Sequence, residues 1–195
     1  MSNMTRARKT WTRDEFWKMH ESGIFGSNRY ELIGGEIVPV AAQSNLHAIG
    51  ISNVDDALDL VFDKNSFWVR AQATLDLSPH SVPDPDISVV SGSKRSHYGT
   101  RRNPTTAILV AEVSDTTLAD DRAWKGSLFA ACGIPEYWIL NIPDNVLEIR
   151  RDPRPDATQP FGFGYASLTT LTATDFAVPL AVPGARIAVA DLLPA

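Results

Sequence analysis

From Ala107 to Val113 the chain reads Ala-Ile-Leu-Val-Ala-Glu-Val, entered from Thr106. A run this short and this apolar predicts a strand buried on both faces. Such a strand needs layers above and below it, which points to a sheet flanked by helices, α/β or α+β. The one charged residue in the run is Glu112. A carboxylate placed there loses its hydration, at a cost of several kcal/mol unless a cation or hydrogen-bond donors compensate. The same run therefore fixes the fold class and raises the first chemical question.

The rest of the chain supplies the layers. Thr12-Arg13-Asp14-Glu15 reads as a capping box opening a short helix at about 13–21, with Gly23 as its stop. Tyr30 to Val40 reads as a hairpin turned by Gly34-Gly35. Over 45–62, apolar residues such as Leu46, Ile49, Val54 and Leu58 recur at helical spacing, with Asp55, Asp56 and Asp59 on the other face. Strands are expected at Phe67–Leu77, at Asp86–Val90 and in the apolar run itself. A helix is expected over Leu118–Ala131, with Trp124, Leu128 and Ala131 inward. Strands then follow at Glu136–Leu140 and Val146–Arg150. The Pro- and Gly-rich stretch 151–164 reads as a surface excursion, and Ala166–Leu171 and Arg186–Val189 as weaker strands. A helix between two strands implies a parallel crossover within one mixed sheet. The 195 residues read as a single domain.

Several function classes drop out. The formal net charge is −5, from 18 Lys+Arg and 23 Asp+Glu, which argues against broad, sequence-blind polyanion binding. Cys132 is the single cysteine, so neither an intrachain disulfide nor a cysteine zinc finger is available, and a reducing cytoplasm is the expected compartment. No stretch reaches the length of a membrane span. Arg6, Arg8 and Lys9 are not followed by an apolar segment, so no secretory signal is expected, and the sequon at Asn3 carries little meaning. Phosphate-loop and nucleophile-elbow motifs are absent, and the four histidines lack ligand spacing.

What remains is a pair of acids on successive strands, Asp86 after Pro85 and Glu112 near the end of the apolar run. Two carboxylates, a backbone carbonyl and waters form a donor set that suits Mg²⁺. The plainer alternatives are a turn residue for Asp86 and, for Glu112, a partner arginine or helix N-terminal amides.

The ordered set Tyr30-Glu-Leu-Ile-Gly-Gly-Glu36, His47, Gln72, Pro85-Asp86-Ile87, Glu112-Val113-Ser114, Thr117, Asp121 to Lys125 and Gly133-Ile-Pro-Glu-Tyr-Trp138 resembles the Uma-type family of restriction endonucleases, within the PD-(D/E)XK nuclease superfamily. The resemblance covers about 30–150 and leaves 151–195 as a C-terminal extension. It implies a restriction-endonuclease-like core, a mixed central sheet flanked by helices. It assigns Asp86 and Glu112 as metal ligands, joined by the Val113 carbonyl. The superfamily lysine two residues after the Glu is replaced here by Ser114, and Lys125 in the following helix is its stand-in. Lys125 could equally pair with Asp121, four residues earlier. Glu31 matches a family acid, although its place in the hairpin also fits a solvent face. His47 matches a family histidine near the helix start, a place to touch phosphate or orient a carboxylate or simply to face solvent, and Gln72 matches a polar position that serves nucleic-acid contact or an edge-strand hydrogen bond. Three departures from the family pattern, the missing proline after Ser114, Phe129 for a tyrosine and Gly34 for an Asp, remove no ligand.

The resemblance thus implies a Mg²⁺-dependent endonuclease, with Mn²⁺ as an alternative metal, acting on DNA. A homodimer is expected because double-strand cleavage needs two sites. Lys94, Arg95, Arg101 and Arg102, in a loop without acids, are the expected phosphate-docking cations. The rival reading is a nuclease-fold module that lost turnover and serves as a nucleic-acid or protein binding module.

Overall fold

The structure is a computed structural model describing residues 8–40 and 42–194. The Asn3 sequon and Arg6 lie outside the described residues.

The apolar run becomes β5 (Leu109–Ser114), and all six of its residues are buried. It sits inside a six-stranded sheet together with β3 (Phe67–Ala71), β4 (Ile87–Ser91), β6 (Glu136–Asn141), β7 (Val146–Pro155) and β8 (Phe163–Thr172), in that spatial order. The β5–β6 pair is parallel and every other neighbouring pair is antiparallel. This is the mixed sheet with one parallel crossover that the order of elements requires.

Helix α2 (Asn45–Val61) covers one face, where Ile51, Val54 and Leu58 meet Ile87, Val89, Leu109, Ala111 and Val113. Its approach is close: a Cβ on Gly50 would lie 2.8 Å from Val113 Cγ1. Glycine lets the helix backbone rest on the end of β5 and carries the first turn of α2 to that edge. The second face is closed by Phe129 and Ile134, packed on Val90, Val110, Tyr137 and Ile139. A smaller cluster, Phe16, Leu32 and Val82, joins α1 (Arg13–Glu21) to the hairpin β1 (Tyr30–Ile33) and β2 (Glu36–Pro39). The predicted capping box is present, with Thr12 and Glu15 satisfying each other's backbone amides.

Four expectations need correction. The strand expected to reach Leu77 ends at Ala71, because Gln72 takes a left-handed conformation (φ 46°) and donates its N–H to the Asp86 carbonyl at 2.7 Å. The helix α3 is not uniform. It runs Leu118–Asp120 as α, Asp121–Lys125 as a wider π turn, and Gly126–Ala131 as α. The extra residue in that turn shifts the helical phase by about 100°. Trp124 consequently faces outward at 50% exposure, Ala131 is exposed, and Leu128 and Phe129 point inward. Finally, 151–164 belongs to the sheet at both ends, with 151–155 and 163–164 in strands and a turn over 156–162 joining them. β7 extends to Pro155 and pairs with β8 throughout. Pro153 and Pro155 lie past Arg151, the last β7 residue with a β6 partner, where no ladder amide is needed on that side.

The residues after 172 complete the core. β9 (Phe176–Ala177) pairs with β10 (Ile187–Ala188), and Ala177, Ile187, Val189 and Leu192 seal the α2 face. Buried Glu136 holds this segment by accepting from Leu180 N at 2.8 Å, from Trp138 Nε1 at 2.9 Å and from Arg151 Nε at 3.0 Å.

On β7, buried Glu148 accepts from Arg122 Nε at 3.0 Å, Arg150 Nη2 at 3.0 Å and Asn141 Nδ2 at 3.3 Å, which ties α3 to the sheet. Burial works against the carboxylate, but the two arginines outweigh it and hold its pKa below the ordinary 4.5. Glu148→Gln is expected to lower the unfolding free energy by about 1.5–3 kcal/mol at neutral pH. A carboxyl with a depressed folded-state pKa contributes fully above its unfolded value and loses that contribution as pH falls through the folded one. In urea titrations the gap between wild type and variant should therefore narrow below about pH 4.

Candidate active site

β4 and β5 are antiparallel, with Ile87 opposite Ala111, so the start of one strand and the end of the other share an edge of the sheet. That register puts Asp86, the residue before β4, beside Glu112 and Val113. Asp86 N–H donates to Glu112 Oε2 at 3.3 Å, and Val113 N–H donates to Asp86 Oδ2 at 2.9 Å. The Ser114 carbonyl faces β6, where it accepts from Ile142 N–H. By strand alternation the Val113 carbonyl points the other way, toward Asp86.

The π turn of α3 carries Lys125 over this edge. Its Nζ lies 2.9 Å from Glu112 Oε1 and 3.7 Å from Glu31 Oε1. Asp121, the alternative partner, is engaged elsewhere: its Oδ2 accepts from Ser114 Oγ and Thr117 Oγ1, both at 2.6 Å. From α2, His47 Nε2 stands 3.1 Å from Asp86 Oδ2. Its N-cap, Ser44, accepts from the His47 amide and donates to Asp115. Glu31 is buried at 7% exposure and is not on a solvent face; its Oε1 accepts from Asp84 N–H at 2.7 Å.

These side chains line one cleft of about 530 Å³, together with Gln72, which is positioned by its own left-handed turn. Asp86, Glu112, Val113, Lys125, Glu31, His47 and Gln72 are thus brought together. Lys94, Arg95, Arg101 and Arg102 are not. Their loop joins the far ends of β4 and β5, about 17 Å along the strands from Asp86 at 3.3 Å per residue, and none of the four lines the cleft.

Sequence reasoning passed over Asp84 and Arg29 and treated Asp121 only as a rival partner. Asp84 accepts from Arg29 Nη2 at 3.2 Å and from Thr74 Oγ1. Its signal was local, the repeated Pro-Asp-Pro-Asp at 83–86.

Charge is unbalanced here. Burial raises the Glu112 pKa well above the ordinary carboxyl value, and Asp86, Asp121 and Glu31 push the same way against Lys125. Burial likewise raises Glu31, with Lys125 opposing. For Lys125, burial opposes the charge, but Glu112, Glu31 and Asp121 outweigh it and hold the ammonium protonated. Burial also opposes a charged His47, and its hydrogen bond to Asp86 reverses the sign. Among the described residues no three His, Cys, Asp or Glu side chains gather into a ready cage for a metal. The donor set still fits a hard cation completed by water. Asp86 Oδ1 receives no hydrogen bond from the described residues, the Val113 carbonyl faces it, and the surrounding carboxylates exceed the cations that serve them.

The family model described as Uma2, putative restriction endonuclease, matches residues 14–190. The chain belongs to this family. A crystal structure from Anabaena variabilis ATCC 29413, titled as a putative nuclease belonging to DUF820, superposes with a TM-score of 0.66 at 16% identity, covering 93% of this chain and 96% of that one. That likeness shows a common fold. No curated protein matches the chain. Within this Uma2 chain Glu112 on β5 is more deeply buried than Glu31 or Asp86, at 3% exposure against 7% and 8%. Lys125→Met should cost about 3 kcal/mol in urea unfolding at neutral pH, since it strands buried carboxylates without their cation.

Proposed function

We propose that this Uma2 chain is a Mg²⁺-dependent phosphodiesterase that cleaves DNA, with Mn²⁺ able to substitute. The observation that carries the reading is the seat of Lys125 Nζ, 2.9 Å from Glu112 Oε1 at the strand edge shared with Asp86. The lysine missing from position 114 is functionally replaced from the neighbouring helix. The family description and the shared fold support nuclease activity in the same direction.

Asp86, Glu112 and the Val113 carbonyl would hold the metal. When bound, Mg²⁺ supplies an acidified water and a counter-charge for the phosphate oxygens. Lys125 contributes as a fixed positive charge. Its ammonium, seated 2.9 Å from Glu112, serves to orient a nucleophile and to neutralise oxyanion charge. His47 acts as a positioning residue by holding Asp86 Oδ2, which leaves Oδ1 without a hydrogen bond from the described residues. Glu31 braces Lys125 from below and is itself fixed by the Asp84 amide.

The test uses supercoiled plasmid and a single-stranded oligonucleotide, each incubated with the purified protein in Mg²⁺ or Mn²⁺. Cleavage of at least one is expected, absent with chelator and absent in Asp86→Ala. Lys125→Ala should slow the reaction about 10²–10³-fold, the usual loss on deleting one oxyanion-stabilising group. Mg²⁺ should raise the melting temperature of the wild type and not of Asp86→Ala. A folded, metal-responsive wild type that cuts neither substrate would favour the binding-module reading.

A further inference from the structure

Trp124 belongs to the cleft and to no core. It directly precedes Lys125 on the π turn, lines the same cleft and is 50% exposed. What sets this exposed side chain apart is its place, with an open aromatic face beside the acids and the lysine of the cleft.

The ring is also held in place. Phe161, in the β7–β8 turn, packs edge-on against it with centroids 5.7 Å apart at 79°. Phe161 is fixed in turn, since its amide donates to Ser127 Oγ at 2.9 Å and that hydroxyl donates to the Phe163 carbonyl at 2.7 Å. Its far edge occupies the space over Gly34, where a Cβ would lie 2.7 Å from Phe161 Cε1. Phe161, itself held by α3 and by the hairpin, thus braces one edge of Trp124, and the ring remains half open to solvent. The hairpin adds Ile33, Val38 and Pro39 to the cleft, so its walls are apolar above a charged floor.

That floor bears on the substrate. Eight carboxylates line the cleft against two fixed cations, Arg29 and Lys125. A duplex brings one phosphate charge per ~1.7 Å of axis and is normally gripped by many lysines and arginines. The four-cation loop that could supply them sits at the other end of the strands. A single strand carries half that charge density along its axis and offers its bases, whose stacking on an aromatic face adds to binding alongside the contacts to phosphate.

We propose, resting on the nuclease reading above, that the cleft takes a single-stranded segment of nucleic acid and that one unpaired base stacks on Trp124 beside the scissile phosphate. Phe161 is the positioning residue that holds the indole at the angle a base can meet.

The test measures binding without turnover, with a 12-nucleotide single strand and a blunt duplex of the same sequence as probes, in Ca²⁺, using the Asp86→Ala protein. Tryptophan fluorescence should quench on adding the single strand, and the bound strand should shield part of the emission from acrylamide. The chain has five tryptophans, so the signal is assigned by its loss in Trp124→Leu. That variant should bind the single strand about 5- to 100-fold more weakly, the span of one base–aromatic stack. Trp124→Phe should stay within a few-fold of the parent, and the duplex should bind more weakly than the single strand. Trp124→Phe keeps an aromatic ring and removes only the indole emission, so loss of the quenching and shielding signal in that variant makes the assignment even if Trp124→Leu does not fold. Duplex binding as tight as single-strand binding, an unchanged affinity in folded Trp124→Leu, or no shielding overturns the proposal. Loss of cleavage on every substrate, with quenching and shielding intact, sinks the nuclease reading and leaves the stacking site standing.

Discussion

The cost of keeping a carboxylate on a strand that has no exposed face organises this molecule. β5 is buried from end to end, and Glu112 sits one residue pair from its terminus at 3% exposure. Removing such a charge from water is tolerable only with close compensation. The compensation comes from several directions: an amide from the residue before β4, an ammonium from α3, and an acid from the first hairpin that holds the ammonium in turn. None of these groups is near the others in sequence. The sheet edge is where they meet because the ladder between β4 and β5 stops there, leaving the last peptide groups free for side chains instead of strands.

Most local structure was legible because local chemistry determines it. A hydroxyl three residues before a glutamate caps a helix wherever the chain goes, and paired glycines turn a hairpin. The apolar run was read correctly as a doubly covered strand. Failures cluster where a single residue changes the phase of a regular pattern. The π turn cannot be seen in a helical wheel drawn at 100° per residue, so Trp124 was placed inside when it stands outside. Gln72 ended a strand because its backbone is held by Asp86, a contact that no window of neighbours contains. Prolines at 153 and 155 disguised a ten-residue strand, since their harmlessness depends on where β6 happens to stop.

The chemistry of the site divided along the same line. The acids Asp86 and Glu112 stood out by residue type and setting, and family resemblance singled out Lys125. Asp84, Arg29 and the bracing role of Asp121 became visible only once distant segments were assembled. The basic loop shows the converse: its composition was conspicuous, but a strand that leaves the site at Asp86 necessarily delivers its following loop to the opposite end of the sheet.

Ser114 stands where the superfamily pattern carries a lysine, yet the position is not idle. Its hydroxyl is bonded to Asp121, and Asp121 opens the turn that projects Lys125. Position 114 thus anchors the turn that carries Lys125. Restoring a lysine at 114 would sever that anchor and bring a second ammonium into a space already filled by Lys125. Position 114 and the turn around Lys125 are therefore mechanically coupled: a side chain exchanged at the strand end is felt at the ammonium, although the two residues are eleven apart in sequence.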